Sequence, residues 1–172
     1  MLAFPASHEP AMPTADELRD KLIRNFKEAP RERFVRAPRY DTETTSLSKG
    51  TAAQQLGASF DILAPGQIGC PYHFHYAEEE MFIILQGEGT LRVAGERVPI
   101  RAGDTINIPA GPDYPHHIIN TSDAPLHYIS ISTQKEPEIC VYPDSGKIGA
   151  FAHGLRYLQR LDTGLDYWDG EA

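Results

Sequence analysis

Between residues 52 and 143, short runs of β-branched and aromatic residues recur at regular intervals, each closed by Gly, Pro or Asp. Long helices cannot form in a chain punctuated this way. Evenly spaced short strands joined by turn residues are the pattern of an antiparallel sandwich or barrel. Strands are predicted near 54–63, 70–76, 80–86, 90–93, 97–101, 104–109, 116–120, 126–133 and 138–142, with turns at "AGE" (94–96) and "RAGD" (101–104). The run "EMFIIL" (80–85) is apolar on both faces, Phe82 and Ile84 on one and Met81, Ile83 and Leu85 on the other, so both faces need cover.

What flanks these strands is different in kind. Residues 1–50 read as an N-terminal arm with one short helix: Thr14 and Glu17 have capping-box spacing, and Leu18, Leu22, Ile23 and Phe26 fall on one stripe before Pro30. The polar, Pro-interrupted stretch 29–50 reads as a connector with room for one short strand. Residues 51–143 form the barrel, and 144–172 form a tail packed on it, anchored by "DYWDGEA". The helix, the tail or a second subunit would then cover the outer face of 80–85.

With 172 residues, 41 % of them hydrophobic, the chain has the content of one globular domain with a real core. A net charge of −8 and no Lys/Arg cluster exclude a polyanionic partner, since neutralising phosphates needs a basic surface. No apolar run approaches a membrane span, and "MLAFPA" is broken by Pro5 too early for a secretory signal, so the expected compartment is the cytoplasm. Cys70 and Cys140 lie far apart without a CxxC pair and read as reduced, packed thiols.

Chemistry concentrates in "GCPYHFHYAEEEMFIILQGEG" (69–89). Side chains alternate along a strand, so His73 and His75 project to one face and Tyr72, Phe74 and Tyr76 to the other. Glu80 opens the next strand with the parity of Phe82 and Ile84, which brings a carboxylate toward two imidazoles. Burying such a group alone costs several kcal/mol, on the order of the desolvation of an unpaired ion, and a divalent cation offsets that cost. A fourth ligand is expected from "GDTINIPAGPDYPHHIIN", where alternation lets only one of His116 and His117 face inward. Glu78 and Glu79 read as solvated linker residues, and His8, His127 and His153 have no motif around them.

These two stretches resemble the paired motifs of the cupin superfamily. His73-Phe74-His75, four residues, Glu80, six residues and Gly87 are similar to the first motif. Gly103, five residues, Pro109-Ala110-Gly111, then His116 and Asn120 are similar to the second. Two departures stand out: the early glycine of the first motif falls at Gln67, flanked here by Gly66 and Gly69, and four residues, Pro112 to Pro115, separate the second motif's glycine from its histidine. The resemblance covers residues 52–133 and extends in "YPDSGK" and "YWDGE" to small bacterial cupins described as sugar-phosphate-isomerase-like.

The resemblance implies an all-β, double-stranded β-helix of the jelly-roll type. It also implies a metal held by His73, His75, Glu80 and His116, the last chosen over His117 for its spacing to Asn120. One divalent ion among Fe, Mn, Ni, Zn and Cu suits such a set, and ligand type alone does not select among them. Phe82 and Ile84 would wall the pocket, with Tyr114 at its rim. The expected function is a metal-dependent enzyme, isomerase or dioxygenase, on a small oxygen-chelating substrate; a non-catalytic small-molecule-binding cupin is the alternative. A homodimer is the expected assembly.

Overall fold

The computed structural model describes residues 12–171; the rest of the expected N-terminal arm, including His8, lies outside the described residues. Helix α1 (Ala15–Leu22) precedes thirteen strands: β1 (Glu32–Arg36), β2 (Tyr40–Ser46), β3 (Leu56–Leu63), β4 (Phe74–His75), β5 (Glu80–Gln86), β6 (Glu88–Val93), β7 (Glu96–Arg101), β8 (Thr105–Ile108), β9 (His116–Ile119), β10 (Leu126–Thr133), β11 (Glu138–Tyr142), β12 (Lys147–Ala152) and β13 (Leu155–Arg160). One face is a six-stranded sheet in the order β1-β2-β3-β10-β5-β8. The opposing face is made of β7-β6-β9 and β13-β12-β11-β4, joined by an isolated bridge between His73 and His116. All pairings are antiparallel, and the long returns from β3 to β10 and from β10 to β5 are those of a jelly roll.

Leu63, Phe82, Ile84, Leu91, Ile100, Ile106, Ile118 and Leu126, drawn from both faces, fill the space between the sheets. Strand register explains the selection. Ser130 faces Phe82 and Tyr128 faces Ile84 across the β10–β5 pair, so even-numbered β5 residues point inward together. Two glycines permit the tight links beside this core: Gly87 sits at φ +86°, where a Cβ would come within 2.8 Å of the Pro125 carbonyl, and Gly103 at φ +96° closes the turn into β8.

The flanks depart from expectation. The capping box at Thr14 and Glu17 is formed, but α1 ends at Leu22 and buries none of its residues. An eight-residue helix with a polar majority has little apolar surface to bury; its Lys21 carbonyl accepts the Ala52 N–H at 2.8 Å, and the following Phe26 meets Phe60 with tilted rings 4.8 Å apart. Stretch 32–46 supplies two strands rather than a connector, because its β-branched and aromatic residues extend the sheet edge beside β3. Within the expected tail, residues 147–160 form a hairpin that continues the sheet from β11. Tyr167 and Trp168 meet edge to face at 4.8 Å and remain exposed, so they do not anchor the terminus. Neither helix nor tail covers the outer face of β5, where Met81 and Leu85 are each 39 % exposed.

Candidate metal centre

The one-residue alternation of "HFH" sends His73 and His75 to the same side of the chain, with ring centroids 4.8 Å apart, while Phe74 packs behind them. Glu80 reaches the two from the first position of β5. His116 enters from β9, placed by the reciprocal backbone hydrogen bonds between residues 73 and 116. The Glu80 Oε2 atom lies 3.8 Å from His73 Nε2, 3.7 Å from His75 Nε2 and 2.8 Å from His116 Nε2.

The other ring nitrogens set the protonation of these imidazoles. Nδ1 of His73 donates to the Pro71 carbonyl at 2.8 Å, Nδ1 of His75 to the Glu138 carboxylate at 3.2 Å and Nδ1 of His116 to the Tyr114 carbonyl at 3.1 Å. A neutral imidazole has one N–H, so each Nε2 is left with a lone pair. Three lone pairs and a carboxylate oxygen thus face one another. Glu80 Oε2 and His116 Nε2 are buried without a hydrogen-bond partner, although 2.8 Å separates them. Two electron-rich atoms at that distance repel unless a proton or a metal cation lies between them. Metal–ligand bonds of about 2.0–2.2 Å set neighbouring donors roughly 3 Å apart, close to the spacing seen here. The residues present fit a divalent ion.

Burial acts in the same direction on His73, lowering it to about 4; the Glu80 charge opposes this, and the neighbouring His116 and His75 add to it. Burial works to raise Glu80, but the imidazoles of His116, then His73 and His75, outweigh it and hold the carboxyl below its usual range. A neutral imidazole beside an ionised carboxylate is the state a metal ion requires.

Beside the centre is a cavity of about 390 Å³. His73 and His75 form part of its wall, together with Glu78, Lys135, Cys140, Tyr142, Phe151 and Arg156. Phe82 and Ile84, expected to wall the pocket, lie instead in the hydrophobic core at 7 % and 1 % exposure, because β5 runs away from the cavity below Glu80. Phe82 keeps one link to the site, an edge-on contact with the His116 ring at 5.7 Å. The Tyr114 side chain is exposed and lies off the cavity; its carbonyl, not its ring, serves the site by orienting His116. His117 projects to the opposite side of β9, as alternation requires, but is buried against Tyr72 rather than pointing outward. Glu79 is exposed, whereas Glu78 is half-buried in the cavity wall and raised to about 7 by burial and by Glu138, Glu80 and Glu136. His127 and His153 lie away from the centre, His127 beside Phe60 and His153 exposed near Glu136.

Glu138 was not foreseen. The residue is 3 % exposed, and its side chain accepts backbone N–H groups from Tyr76, Ala77 and Glu78 in addition to His75 Nδ1. The available signal was an acidic residue sharing strand parity with Cys140 and Tyr142. Arg92, Arg101 and Lys147 do not line this cavity: Arg92 pairs with Asp144 at 2.9 Å, Arg101 lies on β7, and Lys147 rests 5.1 Å over the Tyr142 ring.

The profile of the cupin domain family matches residues 59–132. Over that stretch, 59–132, the chain matches a cupin domain. An uncharacterized protein from Methanocaldococcus jannaschii is 40 % identical over 60 residues, 35 % of this chain and 46 % of its own length. An oxalate-binding protein from Thermotoga maritima is 37 % identical over 59 residues, 34 % of this chain and 47 % of its own length. This chain therefore spans less than half of either protein. A cupin from Silicibacter pomeroyi, described as a sugar phosphate isomerase, superposes with a TM-score of 0.72 at 21 % identity, covering 84 % of this chain and 96 % of that one. The likeness extends the shared fold beyond the cupin domain into the flanking strands. No described helix is long and apolar enough to cross a membrane.

Proposed function

We propose that this cupin binds one divalent transition-metal ion through Nε2 of His73, His75 and His116 and the carboxylate of Glu80, and acts on a small molecule that chelates through two oxygens. The observation that carries this reading is the convergence of three lone-pair nitrogens on Glu80 Oε2, with His116 Nε2 and Glu80 Oε2 buried and otherwise unpartnered. The ion would supply Lewis-acid polarisation of a hydroxyl or carbonyl oxygen, which suits an isomerase, or oxygen chemistry if it is iron or copper, which suits a dioxygenase. The chain supplies orientation. Lys135 and Arg156 line the cavity and form no ion pair among the described residues, so they suit a second anionic group on the ligand. Arg156 is steadied over the Phe151 ring at 5.2 Å.

A non-catalytic binder is the second reading, and the likeness to the oxalate-binding protein favours it, since oxalate chelates through two oxygens. One experiment separates the two. Protein reconstituted with Fe(II), Mn(II), Ni(II), Zn(II) or Cu(II) is assayed by elemental analysis, by calorimetry with oxalate and related hydroxy acids, and by oxygen uptake and isomer interconversion. The enzyme reading expects turnover that disappears in His75→Ala together with the bound metal. Tight oxalate binding without turnover by any loaded form supports the binder. Full metal retention in both His75→Ala and Glu80→Ala defeats both.

A further inference from the structure

A second donor group shares part of the centre. The ligand atoms of His73, His75 and Cys140 lie within 4.8 Å of one another, as do those of His73, Glu80 and His116. Cys140 stands directly opposite His75 in the β11–β4 pair, so the two side chains emerge on the same side of the sheet. It is 2 % exposed and belongs to the cavity wall. Cys70 is placed differently: its sulfur lies 3.7 Å from His73 Nδ1, the nitrogen already engaged by Pro71, and it joins neither donor group. That the region is built for a cation is indicated independently by His116 Nε2, on a residue 1 % exposed, and by Glu80 Oε2, both buried, unpartnered and aimed at the same point.

We propose that Cys140 gives this cupin a second coordination mode, in which a soft ion such as Cu(I) is held by His73, His75 and the Cys140 sulfur rather than by the set containing Glu80. The proposal rests on the reading of the centre as a metal site and adds the class of ion that each half selects. Carboxylate oxygen suits harder ions such as Mn(II), whereas sulfur and imidazole suit Cu(I). On binding, the Cys140 S–H bond breaks, an S–Cu bond forms and the proton passes to solvent, with no change in oxidation state. Because His73 serves both modes, they exclude each other, and Cu(I) displaces Mn(II) one for one.

The test is an anaerobic titration of the full chain with Cu(I) against a chromogenic Cu(I) chelator, in parallel with a Mn(II) titration, for the wild type, Cys140→Ser, Cys70→Ser and Glu80→Gln. Cys140→Ser is expected to weaken Cu(I) at least tenfold while leaving Mn(II) within twofold; Cys70→Ser and Glu80→Gln leave Cu(I) within twofold. Unchanged Cu(I) affinity in Cys140→Ser, or an equal loss in Glu80→Gln, overturns the proposal. X-ray absorption on the wild-type Cu(I) complex decides the matter if Cys140→Ser does not fold: one sulfur in the coordination shell supports the second mode, and nitrogen and oxygen alone overturn it. The Mn(II) arm stands apart, since retention of Mn(II) by Glu80→Gln defeats the carboxylate-containing set without touching the Cu(I) result.

Discussion

Strand β5 passes from one kind of interior to another within five residues. Glu80, Phe82 and Ile84 share a face; the first meets three imidazoles and the last is sealed among Leu63, Leu126 and their neighbours at 1 % exposure. β9 repeats the change, with His116 in the polar cluster and Ile118 in the apolar one. Both regions are buried between the same sheets, so burial alone does not distinguish them. Alternation decides which residues point inward, and position along the strand decides whether they meet oil or charge. The apolar layer holds the two sheets together and thereby fixes the spacing of the polar layer, whose mutual repulsion would otherwise drive its members apart.

Several substitutions sharpen or break this contrast. Glu80→Ala or His116→Ala is expected to remove nearly all bound metal, by elemental analysis, while Ile84→Ala keeps full stoichiometry; metal loss in Ile84→Ala would mean that the two layers are not separable. Denaturant unfolding of Ile84→Ala should in turn show a loss of about 2–5 kcal/mol, the usual cost of a large-to-small change in a sealed core.

Acid should act on the polar layer alone. His73 has a folded-state value of about 4, below the usual 6.5 of an unfolded histidine, so the unfolded chain binds the extra proton between those values. Stability of the metal-free protein is therefore full above pH 6.5 and falls as the pH drops toward about 4, by on the order of 3 kcal/mol. A thermal melt series across that range tests the sign, and His73→Gln should flatten the slope.

Smaller effects follow at the edges of the site. Glu138→Gln should weaken metal binding by about 10- to 100-fold in a competition titration, because the carboxylate that orients His75 is replaced by an amide whose NH2 opposes the backbone donors. Asp144→Asn, at a half-exposed ion pair with Arg92, should cost less than about 1 kcal/mol and leave metal content unchanged.

The strands from 54 to 142, except that only Phe74–His75 of the expected 70–76 run is strand, and the inward parity of His73, His75 and Glu80 were legible in the sequence because a period of two, interrupted by Gly and Pro, is written locally. The separation of His116 from His117 was legible for the same reason. The cavity wall was not. Phe82 and Ile84 share the parity of Glu80, but parity says nothing about depth along a strand, and they sank into the core. Glu138 and Cys140 meet His75 only through the pairing of β11 with β4, a contact between residues more than sixty positions apart that no local pattern encodes. That stretch 32–46 forms two paired edge strands rather than one short one was not legible, because polar residues and prolines mask its β-branched content.

Phe151 and Arg156 reach the cavity from the β12–β13 hairpin, beyond the residues 59–132 matched by the cupin profile. Under the proposed reading, the residues that would hold an ion and part of the wall that ion would face thus come from separate stretches of chain. Exchanging the hairpin would retune selectivity while the catch beneath it stayed intact, which makes those fourteen residues, 147–160, the natural place to redirect this molecule toward a different guest.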